Sequence, residues 1–373
     1  MVPRTPLKVL HICQRDDPAT GGAVRVAVEY VKRLPQQSID AHCLFVYGPP
    51  GPFQKELGDR AHYLGLHSSR DIFNFARLPQ FIQQLRPHII HHHDGLLWIQ
   101  LLTFYHPNIA KVVHGHITVR PQSPFSKGSL ASRLQRHSTD LLIAITEDTR
   151  KSYLQYQHYS PEQVVVVYNG VDLAKFYPPT ETGRLAARKS LGLPVNATVV
   201  GFVGRLHCAM KGPDDFLQMI AHLPPDYWGL IVGTGPDMAM LLALAEKLGI
   251  ANRVVFTGLL ENPALAYQAM TLFCLTSHYE PFGLVVAEAM ASRIPVVGFA
   301  CKGGVCELLT SKTGWVVPNR SLNQMAEIVM SLTQKPEVMP IKTDAALQQI
   351  TQRHSWDSST ATLANNYFKL LNA

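Results

Sequence analysis

The sequence predicts an α/β protein of two halves, each a parallel sheet with helices on both faces. Two observations carry this. Short apolar runs alternate with segments of helical period along the whole chain. A strand, a glycine turn and a helix open each half, first after residues 7–13 and again after residues 199–203. The length agrees, because 373 residues suffice for two domains of ordinary size.

In the first half, residues 7–13 (L-K-V-L-H-I-C) read as a buried strand. Asp16, Asp17, Pro18, Ala19 and Thr20 lead to Gly21-Gly22, and A-V-R-V-A-V-E-Y-V-K-R-L follows with apolar residues at helical spacing. This is the opening of a Rossmann-like unit. The glycine pair lets a ligand approach a helix N-terminus. The signal is weak alone, since G-x-G-x-x-G is absent. Residues 41–46 form a second strand ending in a Gly/Pro loop at 48–52, and residues 73–86 a helix stopped by Pro87.

His88-Ile89-Ile90-His91-His92-His93-Asp94 comes next, and K-V-V-H-G-H places His114 and His116 at the end of the following strand. In a strand His91 and His93 share a face and His92 points the other way. Histidines at the ends of neighbouring parallel strands have the donor chemistry for zinc. The favoured reading puts them at the carboxyl edge of the sheet, where α/β proteins bind ligands and imidazoles meet sugar hydroxyls or phosphate. His91, His93 and His116 are thereby candidate acceptor contacts, and no metal site is expected.

Residues 119–137 carry Arg120, Lys127, Arg133, Arg136 and His137, interleaved with Phe125, Leu130 and Leu134. They read either as an amphipathic segment lying on an anionic membrane or as a basic loop and helix packed on their own domain. The charge distribution bears on this. Residues 1–170 hold 18 Lys+Arg against 12 Asp+Glu, a net of +6, whereas the remainder holds 16 against 15, a net of +1. That asymmetry suits an anionic partner such as a membrane surface, a phosphorylated acceptor or nucleic acid; ordinary solubility charge explains it equally. Strands at 140–145 and 164–167, the turn Tyr168-Asn169-Gly170-Val171-Asp172 and a linker through Phe176-Tyr177-Pro178-Pro179 close this half.

The second half repeats the plan. Strand 199–203 leads to Gly204-Arg205-Leu206-His207-Cys208-Ala209-Met210-Lys211-Gly212, and Pro213-Asp214-Asp215 opens a helix. An Arg fork, a Lys point charge and helix-end N–H groups suit a diphosphate. Strand 229–232, the Gly233-Thr234-Gly235-Pro236 turn, helix 238–248 and strand 253–256 follow. Then comes Leu272-Phe273-Cys274-Leu275 and E-P-F-G-L-V-V-A-E over residues 280–288. It reads as strand, tight turn and helix, with Pro281 at the helix start and Gly283 allowing close approach of a ligand. Glu280 precedes the helix and Glu288 lies about two turns in, so the carboxylates act as separate hydrogen-bonding posts. Strand 295–298, Gly303-Gly304-Val305-Cys306-Glu307 turning into a helix, a late strand at 313–318 and a final helix over 358–371 complete the chain.

Composition limits the alternatives. Hydrophobic residues make up 46% of the chain, which gives ample core, and no apolar run approaches the ~20 residues of a membrane span. The N-terminus turns straight into a strand without the layout of a signal peptide. Six scattered cysteines with no C-x-x-C read as reduced thiols in a cytoplasmic protein, without a disulfide or zinc framework.

Seven motifs in register resemble glycosyltransferase family 4, the group 1 glycosyl transferases. They are Gly21-Gly22; Pro87-His88-Ile89-Ile90-His91-x-His93, with His88 where the family usually has an acid; His114-Gly115; Asn169-Gly170-Val171-Asp172; Gly204-Arg205 with Lys211-Gly212; Glu280-x7-Glu288; and Gly303-Gly304-Val305-x-Glu307. The resemblance implies a GT-B fold, two Rossmann-like doubly wound domains facing a central cleft. The first would span 1–175 plus a returning helix at 355–373, and bind the acceptor. The second, 176–354, would bind a nucleotide-sugar donor. It implies a retaining transferase moving a sugar from a UDP- or GDP-sugar to a hydroxyl of a glycan or lipid-linked acceptor, in polysaccharide or other glycoconjugate biosynthesis. Arg205 and Lys211 would neutralise the diphosphate. Glu288 would hold the ribose. Glu280 would hold the donor sugar, with backbone groups of Phe282, Gly283 and Leu284, and His114 would reach that sugar from the first domain. Gly21 and Gly22 would make room for the diphosphate and acceptor. No cofactor or metal is implied, and no nucleic acid. Peripheral contact with the inner face of a membrane through 119–137 is an expectation of its own.

Two departures stand out: the loop between Arg205 and Lys211, and Lys312, which stands where the family often has an acid and a glycine. The competing readings are a non-catalytic nucleotide-sugar or glycan-binding subunit and a GT-B epimerase or phosphorylase. A dinucleotide oxidoreductase fits least, because Gly233-Thr234-Gly235 lacks a third glycine and no acidic ribose partner is evident.

Overall fold

The computed structural model describes residues 6–17, 21–68, 71, 77–93, 97–104, 106–121, 123 and 126–372. Along the chain the elements are β1 (Leu7–Arg15), α1 (Gly22–Arg33), β2 (Ile39–Tyr47), α2 (Phe53–Leu57), β3 (Ala61–Leu66), α3 (Arg77–Leu85), β4 (Ile89–His92), α4 (Leu97–Phe104), β5 (Ala110–Gly115), α5 (Lys127–His137), β6 (Leu141–Ala144), α6 (Glu147–Gln157) and β7 (Val164–Val166). Then follow α7 (Glu181–Ser190), β8 (Thr198–Val203), α8 (Cys208–Lys211), α9 (Pro213–Ala221), β9 (Tyr227–Val232), α10 (Met238–Lys247), β10 (Val254–Gly258), α11 (Ala264–Ala269), β11 (Leu272–Leu275), α12 (Leu284–Ala291), β12 (Val296–Phe299), β13 (Trp315–Val317), α13 (Leu322–Gln334), α14 (Met339–Arg353) and α15 (Trp356–Asn372).

The chain divides into two compact units, Met1–Gly170 with Trp356–Ala373, and Val171–Ser355. The N-terminal unit has a seven-stranded sheet in the order β3-β2-β1-β4-β5-β6-β7, and the C-terminal unit a six-stranded sheet in the order β10-β9-β8-β11-β12-β13. Every ladder is parallel. Burial on both faces explains why these strands read as apolar runs. On one face of the N-terminal sheet, Val24, Ala27, Val28 and Val31 of α1 pack with Trp356, Leu363, Ala364 and Tyr367 of α15. Leu78 and Ile82 of α3 cover the other face. The spacing of three and four within each set is that of a helical stripe.

The structure adjusts three local expectations. Pro281 lies ahead of α12, which begins at Leu284 with Gly283 as its N-cap at φ 90°. The carbonyl of Pro281 instead accepts from the Gly304 amide at 3.1 Å, which fixes Pro281 in the preceding turn. Glu288, four residues past Leu284, therefore sits one turn into the helix, not two. Gly304–Glu307 makes only a 3-10 turn, and Thr310–Gly314 forms a separate turn after it. The helix expected over 73–86 is Arg77–Leu85, with 73–76 outside the described residues, as are 18–20, Asp94 and Phe125.

Candidate functional site

In each sheet the strand order reverses once, beside β1 and β4 in the N-terminal unit and beside β8 and β11 in the C-terminal unit. Loops that leave the carboxyl ends of the two strands diverge there, and a crevice opens for ligands. Gly21 and His93 follow β1 and β4, and Lys211 and Glu280 follow β8 and β11, at these two places.

In the C-terminal unit the loops after β8, β11 and β12 are bound to one another. The Met210 carbonyl accepts from the His278 amide at 2.9 Å, and the Lys302 carbonyl accepts from the Glu280 amide at 2.9 Å. Two glycines permit this spacing. A Cβ on Gly212, which has φ +60°, would stand 2.3 Å from the Thr276 carbonyl oxygen. A Cβ on Gly303, at φ +111°, would stand 2.2 Å from that of Glu280. The clamped loops bring Lys211 Nζ against Glu280 Oε2 in an ion pair, with side chains only 20% and 10% exposed. Ser277 Oγ adds a longer contact at 3.4 Å to the same oxygen. A second clamp holds the β8 loop to the β9 loop. Leu206 N–H donates to the Thr234 carbonyl at 2.9 Å, and Cys208 N–H donates to Asp237 Oδ2 at 2.7 Å. Arg205 on that loop is exposed, and its guanidinium has no partner among the described residues.

Past Glu280 the chain turns through Phe282, whose ring is buried, so that residue can offer a ligand only its backbone. Leu284 and Val285 begin α12, where amides lack acceptors from within the helix. Glu288 is held apart from Glu280 by its own partner. Tyr267 Oη donates to Glu288 Oε2 at 2.7 Å. Burial, and then the Glu288 carboxylate, push the Tyr267 hydroxyl well above its usual range, so it remains a donor. The two acids are thus two posts with separate supports. Tyr267 is a residue the sequence reading missed, because it lies in α11, 21 residues from Glu288, and carries no motif.

The N-terminal unit is built differently. Gly21 has φ 126° with no described atom within 4 Å of an added Cβ, and Gly22 starts α1. Register pairs His11 of β1 with His91 of β4. His91, His93, His114 and His116 therefore share the sheet face that His11 occupies. His92 faces the other way, its Nε2 3.3 Å from Thr103 Oγ1. Tyr367 Oη of α15 closes the group through His91 Nδ1. Burial, reinforced by the neighbouring imidazoles, holds His91, His93 and His114 well below the usual histidine range, and burial holds His116 at about 3. All are neutral at pH 7. His11 and Tyr367 were not foreseen, since each reads in sequence as one more residue of an apolar run.

Across the chain, the model for "Glycosyl transferases group 1" matches residues 184–352 and that for "Glycosyltransferase Family 4" matches residues 20–175. Together they cover most of both units, and the chain belongs to the group 1 glycosyl transferases of family 4. The D-inositol 3-phosphate glycosyltransferase of Mycobacterium avium is 34% identical over 236 residues, which are 61% of this chain and 54% of that protein. The protein of the same name from Xylanimonas cellulosilytica is 31% identical over 239 residues, 62% of this chain and 57% of that one. The chain thus spans about half the length of these curated relatives. Anabaena Alr3699/HepE, solved in complex with UDP-glucose, superposes with a TM-score of 0.83 at 22% identity, over 97% of this chain and 99% of that one. The fold is GT-B.

Proposed function

We propose that the protein is a retaining glycosyltransferase that moves a hexosyl group from a UDP-sugar to a hydroxyl acceptor in glycoconjugate or polysaccharide synthesis. The observation that carries this is the Lys211–Glu280 pair, mostly buried and set beside the open amides of α12. Such a group recognises a sugar diphosphate, with cation and amides for the phosphates and the carboxylate for hydroxyls. The Anabaena structure with UDP-glucose supports UDP over GDP as the base carrier. In this reading the C-terminal unit holds the donor and the N-terminal unit the acceptor.

The chemistry follows from the residues. The bond from C1 of the sugar to the phosphate oxygen breaks, and negative charge grows on the diphosphate. Lys211 and Arg205 stabilise that charge, so no resident metal is needed for the step. The acceptor oxygen bonds to C1 on the same face, and its proton passes to the leaving phosphate oxygen. Glu280 positions sugar hydroxyls, Glu288 the ribose, and His114, a neutral imidazole, hydrogen-bonds the sugar. His91, His93 and His116 contact the acceptor, and Gly21 and Gly22 make room for it.

Release of nucleoside diphosphate from a panel of UDP- and GDP-sugars, after dialysis against a chelator, tests this. UDP release that Lys211→Ala and Glu280→Ala both abolish supports it, with anomeric retention read by NMR of the product. No release with any donor and acceptor would favour the reading as a binding subunit.

No described helix is long and apolar enough to cross a membrane. We also propose peripheral attachment to an anionic bilayer through α5. Leu130 and Leu134, four residues apart, are 61% and 41% exposed on it. Arg133 lies between them, and such a pairing of apolar and basic side chains suits a lipid interface.

A further inference from the structure

The histidines of the N-terminal sheet form more than a lining. Five imidazoles, those of His11, His91, His93, His114 and His116, stack with neighbouring ring centroids 4.2 to 5.4 Å apart. No carboxylate is hydrogen-bonded to any of them among the described residues, and the four inner rings are buried. Neutral imidazole is the form that binds a metal.

The contacts sort the rings into an inner and an outer set. His11 Nδ1 lies 2.8 Å from His93 Nε2, and His91 Nε2 lies 3.2 Å from His114 Nδ1. Each contact engages one nitrogen of His93 and of His114 from the inner side. The free atom of His114 is Nε2, which is buried and without a hydrogen-bond partner. The second nitrogen of His93, Nδ1, contacts only another imidazole, His116 Nε2 at 3.2 Å, a contact that a shared metal ion would replace. Two nitrogens on one tetrahedral zinc, each about 2.05 Å from the metal, stand about 3.3 Å apart. Ligand nitrogens of His93, His114 and His116 all lie within 4.8 Å of one another.

We propose that His93 Nδ1, His114 Nε2 and His116 Nε2 bind one zinc-class transition-metal ion, with His11 and His91 as the supports that fix the ligand tautomers. His93 Nε2–H donates to His11, and His114 Nδ1–H donates to His91. Tyr367 Oη in turn engages His91 Nδ1. Imidazoles held from behind by a second polar group are the usual construction of a histidine metal site. Three neutral nitrogens and an open fourth position suit zinc, cobalt or nickel more than calcium or magnesium, which take oxygen ligands. His116 is half-buried and gives the ion a way in. The ion and a sugar contact by His114 exclude one another, so zinc here inhibits transfer. That consequence rests on the transferase reading, and the binding itself does not.

The test is metal titration of the full chain after dialysis against a chelator. Zn2+ binding is followed by calorimetry, and Co2+ binding by visible absorption. One equivalent is expected, with the intense absorption of a four-coordinate cobalt site. His116→Ala, at the edge of the cluster, removes that equivalent while thermal unfolding shows the fold intact. Tyr367→Phe weakens binding about 10-fold. His62→Ala, on a histidine pair at another strand edge, leaves binding unchanged. A wild-type chain that takes up no zinc, binding that survives His116→Ala, or binding lost in His62→Ala would each overturn the proposal. In the first case the cluster is a hydrogen-bonded chain of imidazoles and nothing more.

Discussion

At its switch point the N-terminal sheet carries imidazoles and Gly21, whose added Cβ would meet no described atom, whereas the C-terminal sheet carries an ion pair, an exposed arginine and glycines pressed against carbonyl oxygens. Both units use the same topology, a parallel sheet whose loops part at one place. The glycines that follow β1 and those that follow β8 and β12 do different work. Gly303 and Gly212 let three loops meet at backbone distance, which fixes Lys211 on Glu280. An added Cβ on Gly21 would meet no described atom, so only its φ of 126° calls for glycine among the described residues. The C-terminal group is held by backbone contacts between loops, and the N-terminal one by hydrogen bonds among its own side chains.

The sharpest break of this contrast is chemical. If charge in the C-terminal unit carries the reaction, Lys211→Ala lowers kcat about 10²- to 10³-fold, the size of a lost preorganised donor. A variant in the N-terminal group, such as His91→Gln, acts on acceptor KM far more than on donor turnover. Steady-state kinetics with donor and acceptor varied separately decide between them. Equal losses of kcat in both variants would erase the distinction.

The second test concerns the glycines. Gly303→Ala adds backbone strain of about 1–3 kcal/mol and must also displace the Glu280 carbonyl. A loss above about 3 kcal/mol is expected, seen as a fall of roughly 6–12 °C in the Tm of a unit of this size. Gly21→Ala, with a similar φ and no described atom within 4 Å of the added Cβ, loses only the strain term. Calorimetry of both variants settles this, and equal losses would mean that Gly303 is not a clamp.

How much of this was legible in the sequence follows the same division. Most strands could be read, because parallel strands covered on both faces are apolar runs and glycine turns interrupt them, but the edge strand β3 and the helices α4, α6, α7, α11, α13 and α14 were not picked out. Lys211, Glu280 and Glu288 were legible because glycines and charges mark them locally. The pairing of His11 with His91 was not, since register between strands 80 residues apart leaves no local trace. Nor was Tyr267 as the support of Glu288. A buried tyrosine in a short helix looks like core until its hydroxyl finds a partner. The start of α12 was misplaced for a related reason: the proline that suits a first helical turn is taken instead by a hydrogen bond from Gly304.

Tyr267→Phe sharpens the C-terminal half of the comparison. It deletes one hydrogen bond to a carboxylate, a loss of about 1.5 kcal/mol or roughly 10-fold. The effect falls on donor KM, with kcat nearly unchanged, if Glu288 holds the ribose in ground state and transition state alike. A loss confined to kcat would place Glu288 at the reacting centre instead.

The smallest effect is expected on the outside of the N-terminal unit, and it asks whether the basic half of the chain is basic for a reason. Arg136 is tied to the His158 carbonyl at 2.7 Å, so its charge serves the unit's own packing. Arg133 has no such bond among the described residues and stands between the exposed Leu130 and Leu134. Each cation near an anionic bilayer contributes about 1 kcal/mol, so Arg133→Gln should weaken sedimentation with anionic vesicles about fivefold at low salt. Raising the salt shortens the Debye length and should remove most of that difference. Leu130→Ser should weaken binding at both salt concentrations, because apolar insertion is not screened. If Arg133→Gln and Leu130→Ser bind as the wild type does, α5 packs as an ordinary solvated helix. The excess charge of the first half then belongs to solubility.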